Sequence, residues 1–507
     1  MRLHRCAVVL LVVLAFGQSQ ANPNQGGFSL ASFEKSVTEF TLANGMKFIA
    51  VERHRVPIVA FDLYVDVGAV DESTGLTGVS HLFEHMAFKG TRTIGTKDYV
   101  AEKKAMQTQD EAYTALMAER EKGSGADPSK LKMLEENFQK ASQPLEKMSE
   151  GDEYSKILER SGAAGLNAAT SHDNTQYTMS LPSNKIELWF SMESASFLEP
   201  VMREYYKERD VVLEERAMRT ESDPSGKLQE EFLHAAFKAF PYGQPVVGHR
   251  SEISVLRRAE AEKYFREHYV ASAMTAVLVG DLDPKQVKRL AETYFGRLPK
   301  RPRPAPIRTV EPAQEGERSV EVEAQAQPLL IVGYHKPSIM DKDRAVFAAI
   351  SDILGGGRTS WLYESLVKEK KIAVAAEASD GYPGYKYPDL FIVFAVPSAG
   401  HTAAEDLKAV EEQINRLKTE KISPQMLEEV KTRTRAAVIR SMRSPEGLAE
   451  TLAENQALEG DWRQLFKDID EIGAVTAADI QRVAQKYFEK KNCTVGMIVA
   501  PTPEKKS

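Results

Sequence analysis

His81, Glu84 and His85 are the residues of this chain whose types and spacing point most directly to chemistry. They stand in the order H-x-x-E-H inside GVSHLFEHMAFKGT, residues 78–91. On a helix, positions i and i+4 lie one above the other, and i+3 borders them. Both imidazoles then face one way, with a carboxylate beside them. Two such imidazoles can hold a zinc ion, and the neighbouring carboxylate can serve as a general base.

The same spacing also suits a buried amphipathic helix whose histidines bond to backbone. The flanks separate the two readings. Gly78 and Ser80 precede the first histidine, and Phe83, Met86 and Phe88 supply an apolar side. The order inverts the commoner H-E-x-x-H and defines the inverted zinc peptidases. The run HLFEHMAFKGT closely resembles the metal helix of the pitrilysin (insulinase, M16) family. It is similar above all to the branch that includes the mitochondrial processing peptidase β subunit, and the chain reads as a bacterial member.

That resemblance supplies what two histidines cannot. A catalytic zinc takes three protein ligands and keeps one position open. The family places the third, a Glu, on a downstream helix in the pattern E-R-x-V-I-x-x-E. Residues 208–215, ERDVVLEE, match it, so Glu215 is the implied ligand. Glu208 lies two helical turns earlier on the same face and would bond to a ligand and fix its orientation. Glu214 points about 100° away from Glu215 and is the weaker choice. His172 and His234 are rival ligands outside any ligand pattern. GLNAATS, 165–171, resembles the family's active-site strand G-x-x-N-A-x-T-S. It implies that Asn167 and Ala168 contact a substrate backbone added as a strand to an exposed edge.

The implied activity is that of a zinc metalloendopeptidase cutting peptides or unfolded polypeptide segments inside a clamshell chamber. Glu84 would be the general base and zinc-bound water the nucleophile. The family also aims an Arg and a Tyr, in R-x6-Y, at the developing oxyanion. Here the matching stretch is LVKEKKIAVAAEAS, 366–379, with Lys368 at the Arg position and Val374 or Ala375 at the Tyr position. Arg358 and Tyr363 are wrongly spaced to replace them. The resemblance therefore implies a homologous R/Y-bearing partner subunit in a heterodimer, or a homodimer. A non-catalytic chamber or scaffold subunit is the alternative. The intact H-x-x-E-H with Glu215 favours the enzyme.

A large scaffold must position these residues. The chain has 507 residues, 42% hydrophobic and 27% charged, enough for more than one core. VTEFTLANGMKFIAVERH, 37–54, reads as a β-hairpin about Asn44-Gly45, and a strand follows before the motif. Residues 97–160 are charged and helical, broken at GSGADPS, and read as a helical-hairpin insertion that loops out. Its narrow apolar stripe is Met106, Tyr113, Leu116, Met133, Leu134 and Phe138. AEAEKYFREHYVASAMTAVLVGD, 259–281, and IQRVAQKYFEKKNCTVGMIVAP near the end share a pattern: helix, Tyr-Phe, polar turn, Thr, apolar strand. The expected fold is α+β, with two homologous half-domains, each an antiparallel sheet covered by helices. The zinc-bearing domain is expected over 22–297, a Pro-rich linker over 298–318 and a non-catalytic domain over 319–507. LGGGRTS, 354–360, lacks the end of a phosphate loop and suits helix capping.

Residues 1–21 read as a signal peptide: Arg2, His4 and Arg5, then an apolar run from Cys6 to Phe16, then Ser19-Gln20-Ala21. A periplasmic or secreted protein is expected, with no stable membrane span after cleavage. Cys493 would then be the sole cysteine, which excludes an intrachain disulfide. A net charge of −7 with no basic block argues against nucleic acid as a partner.

Overall fold

The computed structural model describes residues 30–150 and 152–501. The expected leader, 1–21, lies outside them. Two sheets organise the chain. The first contains β1 (Val37–Thr41), β2 (Lys47–Glu52), β3 (Ile58–Val65), β4 (Ala164–Thr170), β5 (Thr175–Pro182) and β6 (Met274–Gly280), in the order β1-β2-β6-β3-β5-β4. The second contains β7 (Arg318–Glu323), β8 (Leu329–Lys336), β9 (Ala373–Tyr382), β10 (Asp389–Pro397) and β11 (Cys493–Val499), in the order β7-β11-β8-β10-β9.

The two orders are the same once β1 is set aside. In each, the last strand of the half inserts beside the first and runs parallel to it, β6 to β2 and β11 to β7. All other neighbours are antiparallel. The expected internal repeat is thus a repeat of topology. The expected antiparallel sheets each hold one parallel pair, because the last strand returns through a long helical crossover rather than a tight turn. Asn44 and Gly45 do form the turn of the β1–β2 hairpin. Gly45 has φ +99°, where glycine is favoured. The Asn44 amide donates to the Phe295 and Leu298 carbonyls at 2.8 and 3.0 Å, fixing the hairpin to the end of its half.

The halves interlock. Helix Pro445–Glu459 of the second half packs on β3 and β6, burying Leu448, Ala449, Leu452 and Ala453 against Ile49, Val51, Tyr64 and Val277. Helix Pro224–Ala236 of the first half packs on β7 and β11, burying Leu228 and Phe232 against Val322, Ile331 and Ile498. Each central strand is therefore covered on both faces, which is why β3, β6 and β8 read as continuous apolar runs.

Residues 97–160 form three helices, Tyr99–Arg120, Pro128–Met148 and Glu153–Arg160. Asp98 and Asp127 cap the first two. The segment does not loop out. Tyr113, Leu116 and Met117 join the first core, with Leu134 and Phe138 packed against it. Met133 instead is 51% exposed, so the expected stripe fails there. Arg258 bonds Asp110 at 2.8 Å, and buried Arg203 pairs with buried Glu102. These cations reach a helix that would otherwise be a solvated face. The expected linker is strapped down as well: the Glu311 carboxylate accepts the N–H groups of Lys238, Ala239 and Phe240. No helix among the described residues is long and apolar enough to cross a membrane.

Candidate metal centre

The motif helix spans Val79–Met86. The Glu72 carboxylate accepts the N–H groups of Gly78 and Ser80, both at 2.7 Å, satisfying donors that a helix start leaves open. Gly78 has φ +85°, and a Cβ there would lie 2.4 Å from the Val247 carbonyl. Leu82, Phe83 and Met86 are buried in the first core. Their burial turns His81, Glu84 and His85 toward β4 and toward helix Tyr205–Arg216, which packs alongside.

That second helix brings Glu215 to the histidines. Its Oε2 lies 3.7 Å from His81 Nε2 and 3.4 Å from His85 Nε2. One ligand atom from each of the three falls within 4.8 Å of the others, and no other such trio exists among the described residues. Two imidazole nitrogens and one carboxylate oxygen are a donor set that suits zinc. His81 Nδ1 is buried with no hydrogen-bond partner among the described residues. Burial holds the His81 imidazole down at about 4, so it is neutral with a lone pair to give. Burial also opposes charge on His85, but the Glu208 and Glu215 carboxylates outweigh it and raise that imidazole to about 9. Burial would raise Glu215 too, yet His85, His81 and Arg219 hold it near 2.

The surroundings orient these groups. Glu208 Oε2 stands 3.6 Å from His85 Nδ1, and its other oxygen is 2.6 Å from Lys89 Nζ. Arg219 Nη1 is 2.7 Å from Glu215 Oε1. Burial lifts the Glu84 carboxyl above its ordinary range, and the Thr170 hydroxyl, donating to it, pulls it partly back. Lys89, Arg219 and Thr170 were missed by the motif reading. Lys89 and Arg219 are each four positions beyond a member of the trio, the one spacing that could have flagged them. Glu214 is exposed and outside the trio. His172 gives its Nε2 to the Gln244 carbonyl, and His234 is exposed on another helix.

Asn167 and Ala168 lie on β4, the outermost strand of its sheet. One edge of β4 pairs with β5, and the other carries no strand among the described residues. Ala168 and Leu166 pack toward the core side, whereas Asn167 lies on the opposite face. A cavity of about 400 Å³ opens along this strand, lined by Glu84, His85, Phe88, Ser155, Ala168 and Glu208 among others. Ser155 belongs to the third helix of the 97–160 segment, so that segment forms a wall of the site. In the second half Lys368 is paired with Glu364 at 2.7 Å, and Val374 is 59% exposed on outer strand β9. Neither offers a guanidinium or a phenol.

A family model described as Insulinase (Peptidase family M16) matches residues 47–118 and 141–250, the stretch that holds every member of the trio. A second, described as Peptidase M16 inactive domain, matches 256–434. The chain belongs to the insulinase (peptidase M16) family. The M16 match skips 119–140, the far end of the helical arm, and includes the arm's first helix up to 118. Among curated relatives, the zinc protease PqqE of Helicobacter pylori is 24% identical over 467 residues, covering 90% of each chain. An uncharacterized zinc protease of Rickettsia bellii is 24% identical over 88% of this chain and 94% of its own. Among solved structures, a protease from Helicobacter pylori superposes with a TM-score of 0.76 at 22% identity, over 91% of this chain and 99% of that one. The periplasmic protease PqqL of Escherichia coli superposes with a TM-score of 0.68 at 16% identity, over 92% of this chain and 49% of that one. These likenesses extend the M16 fold across both halves.

Proposed function

We propose that this protein is a zinc-dependent endopeptidase acting on peptides or unfolded polypeptide segments. The observation that carries the reading is the convergence of His81, His85 and Glu215 beside Glu84, at a cavity along the free edge of β4. His81, His85 and Glu215 would hold the metal, and Glu208 would keep the His85 ring in place. Zinc, when bound there, supplies a Lewis acid and lowers the pKa of a water. A peptide would add to β4 as a further strand, main chain to main chain, past Asn167 and Ala168. Glu84 would take a proton from the attacking water and give it to the leaving amine. Burial raises its pKa, the direction that eases return of the proton to the leaving amine.

No Arg or Tyr side chain stands at 368, 374 or 375 to meet the oxyanion. We therefore infer that a second M16-like chain, homologous or identical, closes the chamber and supplies those donors. The match of 92% of this chain to 49% of the E. coli PqqL chain fits a pair of such units. The leader pattern read in residues 1–21 supports a periplasmic or secreted protein.

A non-catalytic chamber subunit is the second reading, favoured by the match of the second half to a domain described as inactive. Zinc quantification and cleavage of quenched peptides separate the two. The mature chain is purified alone and together with whatever co-purifies from its host. One zinc per chain with peptide cleavage in either preparation supports the enzyme. Full zinc with no cleavage in both assigns the scaffold.

A further inference from the structure

The turn between β4 and β5, residues 171–174, is held by the second half of the chain. Asp173 sits in that turn with only 4% of its surface exposed. Its Oδ2 accepts the N–H groups of Tyr385 and Lys386, at 2.8 and 3.1 Å, from the loop between β9 and β10. Its Oδ1 accepts the Tyr242 hydroxyl at 2.6 Å, and that same hydroxyl accepts the N–H of Tyr387 at 3.3 Å. The loop approaches closely enough that a Cβ on Gly384 would lie 2.3 Å from Asp173 Oδ2 and 2.6 Å from the Tyr242 hydroxyl. Lys386 continues past this contact to pair with Asp66, the residue that follows β3.

The turn is itself stiff. Ser171 Oγ accepts the N–H groups of Asp173 and Asn174, both at 3.1 Å, and Ser171 N–H bonds the Asn174 carbonyl at 2.8 Å. The residue that leads into it is Thr170, whose hydroxyl donates to Glu84 at 2.6 Å. A shift of the turn moves that hydroxyl. A hydrogen bond to a carboxylate weakens steeply with displacement, and misplacing a catalytic group by about 1 Å can cost about a hundredfold in rate.

We propose that Asp173 is a positioning residue through which the second half, which contributes no member of the His81, His85 and Glu215 trio, sets the orientation of Glu84. The 383–387 loop fixes Asp173, Asp173 fixes the turn, and the turn fixes Thr170. This rests on the peptidase reading above. It gives the half described as inactive a definite task in the chemistry of the other half.

A double-mutant cycle tests it on the zinc-loaded full-length mature chain, in whichever assembly cleaves peptide. Asp173→Asn keeps the shape but replaces one acceptor oxygen with an amide NH2, so it cannot accept from both the Tyr385 and Lys386 N–H groups and the Tyr242 hydroxyl. It should cut kcat about tenfold with KM and zinc content unchanged, because the loss falls on the reacting step. In a Thr170→Val background the same change should cost less than about twofold, since the path runs through Thr170. Gly384→Ala makes the same test from the other half, and Tyr242→Phe, which removes one bond to Oδ1, should give a smaller loss in the same direction. If Asp173→Asn does not fold, these two carry the cycle. Equal losses in both backgrounds, a loss confined to KM, or loss of zinc would overturn the proposal. No cleavage by the unaltered zinc-loaded chain with its partner would instead refute the peptidase reading, and this proposal with it.

Discussion

The Thr170 hydroxyl lies 2.6 Å from Glu84 Oε2 and donates to it. Thr170 ends β4, the strand whose free edge would take the substrate, and Glu84 stands on the helix that would hold the metal. The proposed base and the proposed substrate platform are thus joined by one bond. A peptide that pairs with β4 is registered against the group that must serve it.

Glu84→Gln should retain zinc and lose cleavage by at least a thousandfold, since it removes general-base catalysis and the carboxylate's charge beside the reacting centre. Thr170→Val should be milder, lowering kcat about tenfold with little change in KM, in keeping with one lost bond to a charged group. Metal analysis beside steady-state kinetics checks both. Retained turnover in Glu84→Gln would remove Glu84 from the mechanism.

The choice between adjacent carboxylates is a matter of face. Glu215→Gln should lose zinc, whereas Glu214→Ala, altering an exposed side chain, should bind it as the parent does. Glu208→Gln should weaken zinc about 10–100-fold, the usual cost of removing a partner that orients a ligand. The His85 imidazole stands at about 9, raised by Glu208 and Glu215 against the opposing effect of burial, so at pH 7 it carries a proton. Zinc must displace that proton. Uptake at pH 7 should release close to one proton per ion, and affinity should climb with pH until about 9, as calorimetry in buffers of different ionisation enthalpy would show.

Much of this site could be read from the chain because helical periodicity is local. The spacing of His81, Glu84 and His85 fixes their shared face, and the seven-residue step from Glu208 to Glu215 fixes theirs. Arg219 and Lys89 escaped because a cation four residues from a ligand looks the same as one on a solvated face. The fold divides along the same line. The Asn44-Gly45 hairpin is written in its own turn residues. Leu228, Phe232 and Ala236 declare a buried helix face but not the sheet that buries it, and nothing in β11 names β7 as its parallel neighbour. The 97–160 segment misled for a related reason: Tyr113, Leu116, Leu134 and Phe138 belong to a stripe narrow enough for a two-helix arm, and only the fold shows that they face the core. Pairings across hundreds of residues are settled by packing, which no short window contains.

Glu193 gives the fold a pH dependence. It is 4% exposed in the first core, with the Tyr154 hydroxyl 3.3 Å from it, and burial pushes its carboxyl up to about 7. A carboxyl raised above its unfolded value binds its proton more tightly when folded. Its contribution is therefore complete below about pH 4.5 and is lost as pH rises toward 7, a change on the order of 3 kcal/mol at most. Glu193→Gln should flatten the fall in Tm between pH 5 and pH 8 and be the more stable form at pH 8. A parent whose Tm rises over that interval, unchanged by the substitution, would refute this.

Phe232 is where the interlock of the halves can be probed most cleanly. It is fully buried between β8 and β11, and glycines on both strands make room for it. A Cβ on Gly333 would lie 2.7 Å from the tip of its ring, and one on Gly496 would lie 3.1 Å from its edge. Phe232→Ala should destabilise by about 3–5 kcal/mol, the transfer loss plus the cavity. Gly333→Ala should cost about 1–3 kcal/mol, because the added methyl overlaps a fully buried ring. The two changes meet at one contact, so they should not add. Alanine at 333 should cost far less once the ring has been truncated, since the clash goes with it. Urea denaturation of the two single variants and the double variant measures the coupling. Strict additivity would show that the helix of the first half does not rest on the sheet of the second in this way.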